Sequence, residues 1–193
     1  MIMKEIRLWT RQHENILEDI SQNGVYRVKE RYIRRKLGDI ASFYLDIYRW
    51  YRHNASDIVK PPESAKFPIW LFTNPDMKLP LKGDQVMLEL KVPDDKVIIL
   101  DMVKWDYIVN YWYIPKSKED AREHKNELEK YGISNESSIY MEDFYPLLKD
   151  KIVNSWDRLF DDNIRLSNKD IATLWEIKEE WIENIEYSEQ NNS

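Results

Sequence analysis

The stretch "IRLWTRQHENILEDISQNGVYRV" (residues 6–28) contains the signals that decide how the chain begins to fold. Its first apolar run predicts a strand over residues 4–10. The amphipathic segment that follows predicts a short helix over 13–22, and Gly24 is typical of the residue that ends such a helix. Apolar residues resume at once, so "GVYRV" (24–28) predicts a second strand. The chain therefore opens with a strand, a short helix and a strand.

The rest of the chain carries further helical and strand patterns. The helices are predicted over 39–53, from Asp101 through Trp112, over 117–132 and over 141–160, and the strands over 68–75, 86–92, 96–100 and 171–177. A Pro-Asp-Asp turn (93–95) separates strand 86–92 from strand 96–100. These two strands are therefore predicted to form a hairpin.

The order of these elements indicates the fold class. Strands and helices are interspersed without a regular alternation, which favours the α+β class over a doubly wound sheet. At 193 residues, the chain is long enough for one buried core. We therefore expect a single α+β domain over residues 1–187, with a mixed or antiparallel sheet and flanking helices. The polar tail 188–193 is expected to be disordered.

Composition excludes several classes of protein. The formal net charge of −6 argues against broad nucleic-acid binding, because such binding needs clustered lysine and arginine. The chain contains no cysteine, which excludes disulfides, thiol nucleophiles and cysteine-bound metals, and which fits a cytoplasmic location. No apolar run approaches the length of a membrane span, so no contact with a membrane is expected.

One segment departs from this acidic balance. The stretch "RVKERYIRRK" (27–36) contains six basic residues in ten. It is either a solvated face of a helix or loop, or a local site for an anionic partner.

The sequence carries no strong catalytic motif. Its four glycines form no phosphate-binding loop, and no serine lies in a nucleophile elbow. His13, His53 and His124 lie on separate segments without the spacing of metal ligands, so no metal site is expected. Of the three, His13 follows the first strand and could reach a cleft there. His124 lies in the charged helix and is expected to be exposed.

Candidate ligand-contacting residues lie near strand ends, where pockets are commonly built. Trp9 and Trp70 occupy such positions and could stack on a base or a nicotinamide ring, with core packing as the alternative for each. Glu89 and Glu176 are the two carboxylates considered for acid–base chemistry. The alternative for Glu89 is a solvated or cross-strand role, and the alternative for Glu176 is an exposed strand position beside a buried Trp175.

Several segments occur in a characteristic order: "LWTRQ", "FPIWLF", "VMLELKVPDDKVIIL", "SWDRLF" and "ATLWEI". Together they resemble an uncharacterised bacterial domain-of-unknown-function family whose members open with Leu-Trp-Thr-x-Gln. The opening order of strand, short helix, "ISQNG" and strand is also similar to the start of the ADP-ribosyltransferase fold. Members of that fold open with a His-x-Thr strand and a helix ending in Ile-Leu-x-x-Gly. Here Thr10 and Gly24 match that pattern.

The second resemblance implies an ADP-ribosyltransferase-like fold that binds NAD, as a substrate, or a related nucleotide. Glu176 would stabilise the sugar cation or activate the acceptor. The residues implied in binding the nucleotide are Trp9, Thr10, Gln12, Tyr26 and Trp70. The histidine that grips the NAD ribose in the family is missing, and Trp9 lies in its region, so the active site is expected to be degenerate.

Two functions follow. The first is an NAD-dependent ADP-ribosyltransferase-like protein or nucleotide binder, as in toxin-like or phage-conflict factors. The alternative is a non-catalytic protein-binding module, such as an antitoxin or an inhibitor of a defence system, whose acidic surface and surplus aromatic residues engage a partner protein. Convergence of Thr10, Trp70 and Glu176 on one cleft would favour the enzyme.

Overall fold

A computed structural model describes residues 4–142 and 144–188. The predicted tail therefore lies outside the described residues, except for Ser188. The chain divides into two compact units, one formed by residues 1–99 and 170–193 and the other by residues 100–169. The α+β class is confirmed. The boundaries of a single domain over 1–187 stay a prediction.

Eight strands and six α-helices are found in the described residues. The strands are β1 (Glu5–His13), β2 (Val25–Tyr26), β3 (Ile69–Phe72), β4 (Gln85–Pro93), β5 (Ile98–Asp101), β6 (Asp170–Leu174), β7 (Ile177–Lys178) and β8 (Ile182–Tyr187). The helices are α1 (Asn15–Asn23), α2 (Glu30–Leu37), α3 (Ala41–Ala55), α4 (Met102–Val109), α5 (Lys118–Lys130) and α6 (Pro146–Ser155). No helix among the described residues is long and apolar enough to cross a membrane.

A six-stranded sheet in the order β5-β6-β3-β1-β4-β8 organises the first unit. β1 pairs antiparallel with β4 along its whole length, from Glu5 opposite Pro93 to His13 opposite Gln85. β2 and β7 form a separate two-stranded sheet. The predicted first strand is thus confirmed, and it runs three residues further than predicted.

Alternating apolar residues of the central strands build the core on one face of the sheet. Leu8 on β1 lies opposite Leu90 on β4, and both are fully buried. Ile16 and Ile20 of α1 belong to the same buried cluster. Residues directly opposite each other on paired strands share a face of the sheet. The register between β1 and β4 therefore brings the apolar residues of this cluster to one face. Gly24 ends α1 as predicted, with φ of 69° and its N–H bonded to the carbonyl of Ile20.

A polar and aromatic layer packs on the other face. Tyr51 of α3 is fully buried, and its hydroxyl lies 2.6 Å from the hydroxyl of Thr173 on β6. Its ring centroid lies 5.4 Å from that of Trp70 and 5.9 Å from that of Trp175. Burial raises the pKa of Tyr51 far above its ordinary value, so its hydroxyl stays protonated as a hydrogen-bonding group.

The predicted hairpin between strands 86–92 and 96–100 is wrong. β4 lies between β1 and β8, whereas β5 lies beside β6 at the other end of the sheet. Both edges of β4 are already occupied, because β8 pairs with it from Val86 opposite Tyr187 onward. The turn after Pro93 is held by a bond from the N–H of Asp94 to the carbonyl of Lys4, which directs the chain away from β4.

The second unit is organised around the buried carboxylate of Asp101. The carboxylate caps α4 by accepting a bond from the N–H of Val103. It also accepts bonds from the N–H groups of Leu166 and Ser167 and from the Ser167 hydroxyl. The amine of Lys104, itself buried, donates to the carbonyls of Arg158 and Asp161. Main-chain groups of residues 158–167 are therefore tied to α4 by two charged side chains.

The predicted helix 141–160 is shorter in the structure. α6 covers only Pro146–Ser155, and a 3₁₀ segment follows at Trp156–Phe160. Its buried apolar residues are Leu148, Ile152, Trp156 and Leu159. Phe144 and Leu147, which share the predicted apolar pattern, are exposed instead.

We expect Asp101→Asn to lower the free energy of unfolding by about 1–3 kcal/mol at neutral pH, since an amide leaves some of these donors unpaired. Burial raises the pKa of Asp101, but the bonds from Ser167, Leu166 and Val103 outweigh burial and hold the pKa below 3.8. The stabilisation is therefore complete above that pH and is lost as the pH falls through the depressed pKa. Urea unfolding at a series of pH values measures both effects.

The exposed Asp157 offers a control. Asp157→Asn should leave the free energy of unfolding within about 0.5 kcal/mol of the wild-type value. An Asp101→Asn protein that is as stable as the control at neutral pH would contradict the role given to this carboxylate.

Candidate functional site

Of the six residues predicted to form a nucleotide site, three are joined by hydrogen bonds, namely Thr10, Gln12 and Trp70, and the others make different contacts. Thr10 is fully buried, and its hydroxyl donates to the carbonyl of Trp70 across 2.9 Å. The amide of Gln12 donates to the same hydroxyl across 2.8 Å. β1 pairs antiparallel with β3 at Trp9, which lies opposite Phe72. The Thr10 hydroxyl therefore connects two strands beside that pair.

The two tryptophans lie on the opposite face of the sheet from Thr10 and Gln12. Successive residues of a strand point to opposite faces, so Trp9 faces away from Thr10. Trp70 lies opposite Thr173, and its ring contacts Tyr51 of α3. Trp9 is 7% exposed. The sheet itself therefore separates Trp9 and Trp70 from the two polar residues.

Glu176 is held by Arg27 at the bend between β6 and β7. The Nε group of Arg27 donates to the Glu176 carboxylate across 2.9 Å, and the Nη2 group donates to the same oxygen. The Glu176 side chain is 14% exposed and the Arg27 side chain is 33% exposed. Charge-assisted bonds of this kind fix both groups more firmly than an exposed pair. The carboxylate that was predicted to be catalytic thus has a cationic partner from the basic segment.

Tyr26 is part of the core beside this ion pair. It is buried and lies opposite Ile177 in the small sheet. Burial, followed by the charges of Tyr32 and Asp19, raises the pKa of Tyr26 to about 12. Its hydroxyl therefore carries its proton at neutral pH.

A shallow depression of about 470 Å³ lies next to these residues along the chain. Its lining residues are Gly24, Lys178, Glu179 and Glu180. The amine of Lys178 lies 3.8 Å from the Glu180 carboxylate. Within residues 4–142 and 144–188, no group of three or more histidine, aspartate or glutamate side chains is arranged to hold a metal ion.

His124 was predicted to be exposed, and this prediction is wrong. Its side chain is 6% exposed and its Nε2 atom lies 2.9 Å from the Glu136 carboxylate. The ring of Tyr113 stacks on the imidazole with centroids 4.2 Å apart. Among the described residues, the buried Nδ1 atom of His124 has no hydrogen-bond partner.

His124 belongs to a polar face of α5 that packs into the second unit. Asp120, His124 and Glu127 lie at i, i+4 and i+7, which places them on one side of the helix. Asp120 pairs with Arg158 at 3.2 Å, and Glu127 pairs with Lys151. Their partners come from distant segments, so the sequence around α5 does not identify them. The spacing of the three residues is the one local signal of this polar face. An apolar pattern would not reveal it.

The second unit also exposes an uncommon set of apolar side chains, which we call the apolar patch. Its members are Tyr131, Met141, Phe144 and Leu147, which are 55%, 80%, 82% and 84% exposed. The ring of Tyr131 lies 5.7 Å from that of Tyr145, the residue that precedes α6. The patch thus gathers around the start of one helix.

Comparison with known proteins identifies a family. A family model described as a domain of unknown function (DUF3841) covers residues 7–183. No curated protein and no solved structure matches the chain significantly. The resemblance to an uncharacterised family is thereby confirmed, and the resemblance to the ADP-ribosyltransferase fold stays a prediction.

We expect Thr10→Val to lower the free energy of unfolding by about 1–3 kcal/mol, because the Trp70 carbonyl and the Gln12 amide each lose a buried partner. Urea unfolding measures the loss. Ser134→Ala, at an exposed position, should stay within about 0.5 kcal/mol of wild type. Full stability in Thr10→Val would contradict this role, since it would mean that the two bonds contribute no net stability.

Proposed function

We propose that this chain, which belongs to the DUF3841 family, is a non-catalytic protein-binding module. Its apolar patch would hold a partner segment that carries apolar anchor residues flanked by lysine or arginine. The observation that carries the proposal is the exposure of Met141, Phe144 and Leu147, each at least 80% exposed within seven residues of chain.

The size of these side chains supports the proposal. Large apolar side chains gathered in one place on a surface are typical of protein–protein contact sites. Burying a leucine, phenylalanine or methionine side chain fully is worth about 1.5–3 kcal/mol. Full burial of Met141, Phe144 and Leu147 would together contribute about 4.5–9 kcal/mol, from which the cost of association is subtracted. Micromolar binding therefore needs further contacts around these three anchors.

The charges around the patch indicate the chemistry of the partner. Glu142 and Asp150 are exposed carboxylates in the same segment. The two lysines there are bonded within the unit, since Lys149 donates to the carbonyl of Tyr140 and Lys151 pairs with Glu127. Lys149 keeps its charge, because a carbonyl does not neutralise it, whereas Glu127 neutralises Lys151. Glu142 and Asp150 therefore leave a small acidic excess in this segment, which favours a basic partner.

We expect random peptides displayed on phage and panned on the wild-type protein to be enriched in aromatic or aliphatic residues together with lysine and arginine. Panning should include counter-selection on the double variant Phe144→Ser/Leu147→Ser, which removes the patch. Selected peptides should then bind wild type at least about tenfold more tightly than the variant, as measured by fluorescence anisotropy.

The chain offers a matched control elsewhere on its surface. Ile58 and Leu79 are 53% and 48% exposed, and Ile58→Ser/Leu79→Ser should bind the selected peptides like wild type. Peptides that are acidic, or that bind both double variants equally, would contradict the proposal. Concentration-dependent dimers of wild type that the Phe144→Ser/Leu147→Ser change abolishes would instead identify a second copy as the occupant.

A second candidate function is the NAD-dependent ADP-ribosyl transfer that the more distant resemblance implies. The observation that favours it is the fixed, largely buried Glu176 carboxylate beside Arg27. A glutamate held in this way could stabilise a sugar cation, and the guanidinium could contact a phosphate. Thr10 and Gln12 are bonded to each other and to the Trp70 carbonyl, so this site would be built around Glu176 alone.

For this second candidate, calorimetric titration of NAD should give saturable binding that Arg27→Gln weakens. Glu176→Gln should keep binding and lose ADP-ribosyl transfer, which intact-mass spectrometry of acceptor mixtures detects. The exposed Glu180→Gln serves as the control for the loss of one carboxylate. The absence of binding heat up to millimolar NAD would exclude this function and leave the protein-binding module.

A further inference from the structure

We propose that α2 and the residue before it form a local binding surface for single-stranded nucleic acid. This surface, which we call the basic face, comprises Lys29, Arg31, Tyr32, Arg35 and Lys36. It lies in the first unit and does not depend on the apolar patch of the second unit.

The inner side of α2 is fixed by the core. Ile33 is buried with Leu45 and Phe67, and Leu37 packs partly against the same cluster. The helix is therefore a rigid support, and its outward residues have a defined arrangement. The inner side also leaves no apolar stripe that could insert into a membrane surface, which argues against a lipid partner.

The outer side of α2 carries an excess of positive charge. Arg31, Arg34, Arg35 and Lys36 are all exposed. Arg34 pairs with Glu30 one turn earlier. Arg31 and Arg35 lie one turn apart on the same side, and like charges at this spacing destabilise a helix. A bound polyanion would remove that repulsion.

An aromatic ring lies among these cations. Tyr32 is half-buried, and the Arg31 guanidinium lies 5.0 Å from its ring centroid. The Lys29 amine lies 5.8 Å from the same centroid and is paired with Asp19 at 2.7 Å, so the phosphate contacts are assigned to Arg31, Arg35 and Lys36. The Arg31 Nη2 group also donates to the Tyr32 hydroxyl across 3.1 Å. Recognition of single-stranded nucleic acid combines two elements. Aromatic rings stack on the bases, and neighbouring cations contact the phosphates.

The small extent of the basic face limits the number of phosphates that it can contact. The rest of a chain with a net charge of −6 repels a polyanion, so only a few phosphates can be contacted. An acidic protein segment would use the same cations but would gain little from the Tyr32 ring. The ring therefore favours a nucleic acid over an acidic peptide.

The test is fluorescence anisotropy with short labelled oligomers of uridine and of thymidine. Wild type should bind, and its affinity should fall as salt rises from about 50 to 200 mM. Arg31→Glu/Arg35→Glu should weaken binding at least tenfold and reduce the slope of log affinity against log salt by about 0.7 per lost phosphate contact.

The control carries the same change of charge on another helix. Arg122 and Lys125 of α5 are 73% and 76% exposed, and Arg122→Glu/Lys125→Glu should bind within a factor of about two of wild type. Circular dichroism should show that both double variants are folded. Equal weakening in both would overturn the proposal, since it would mean that only net charge matters. An absence of wild-type binding at low salt would overturn it as well.

A third comparison isolates the ring. Tyr32→Phe keeps a stacking surface and should bind like wild type, whereas Tyr32→Leu should bind at least about fivefold more weakly. Equal binding by these two variants, together with full competition by poly-aspartate, would overturn the proposal in favour of an acidic protein partner.

Discussion

The pairing of β1 with β4 is the constraint on which the first unit depends. Nine residues of β1 are matched in register with β4, which places β1 near the middle of the sheet. A shift of one residue would exchange the two faces of the strand. Leu8 would then leave the core, and the Thr10 hydroxyl could not reach the Trp70 carbonyl. The core cluster and the bridge between β1 and β3 are thus fixed by one ladder.

Local patterns in the sequence predicted most elements, because periodicity and capping act within a few residues of each other. The left-handed Gly24 and the Asp101 cap are both found where the residue types indicate. The hairpin failed because strand pairing depends on distant segments. β8 arises from residues that carry only a weak strand pattern, yet it covers the free edge of β4. The sequence of residues 86–100 does not indicate that β8, rather than β5, pairs with β4.

Strand geometry explains where the predicted site residues lie. Trp9 and Thr10 are adjacent on a strand, so they face opposite sides of the sheet and cannot line one pocket. The alternation of side chains along a strand is enough to predict that these two residues face opposite ways. The Arg27–Glu176 pair could not be predicted in this way, because 149 residues separate its members. In the structure, most of the predicted site residues make contacts that hold strands together.

The second unit buries charged and polar groups beside its apolar core and exposes several large apolar side chains. It buries His124, Asp101 and Lys104, while Phe144 and Leu147 lie in water. Buried charges contribute little net stability, because desolvation offsets much of their attraction. Apolar residues left outside provide no stability until something covers them. A partner that binds the folded unit there would add stability in proportion to its affinity and concentration, so this unit is the part of the chain that binding should stabilise most.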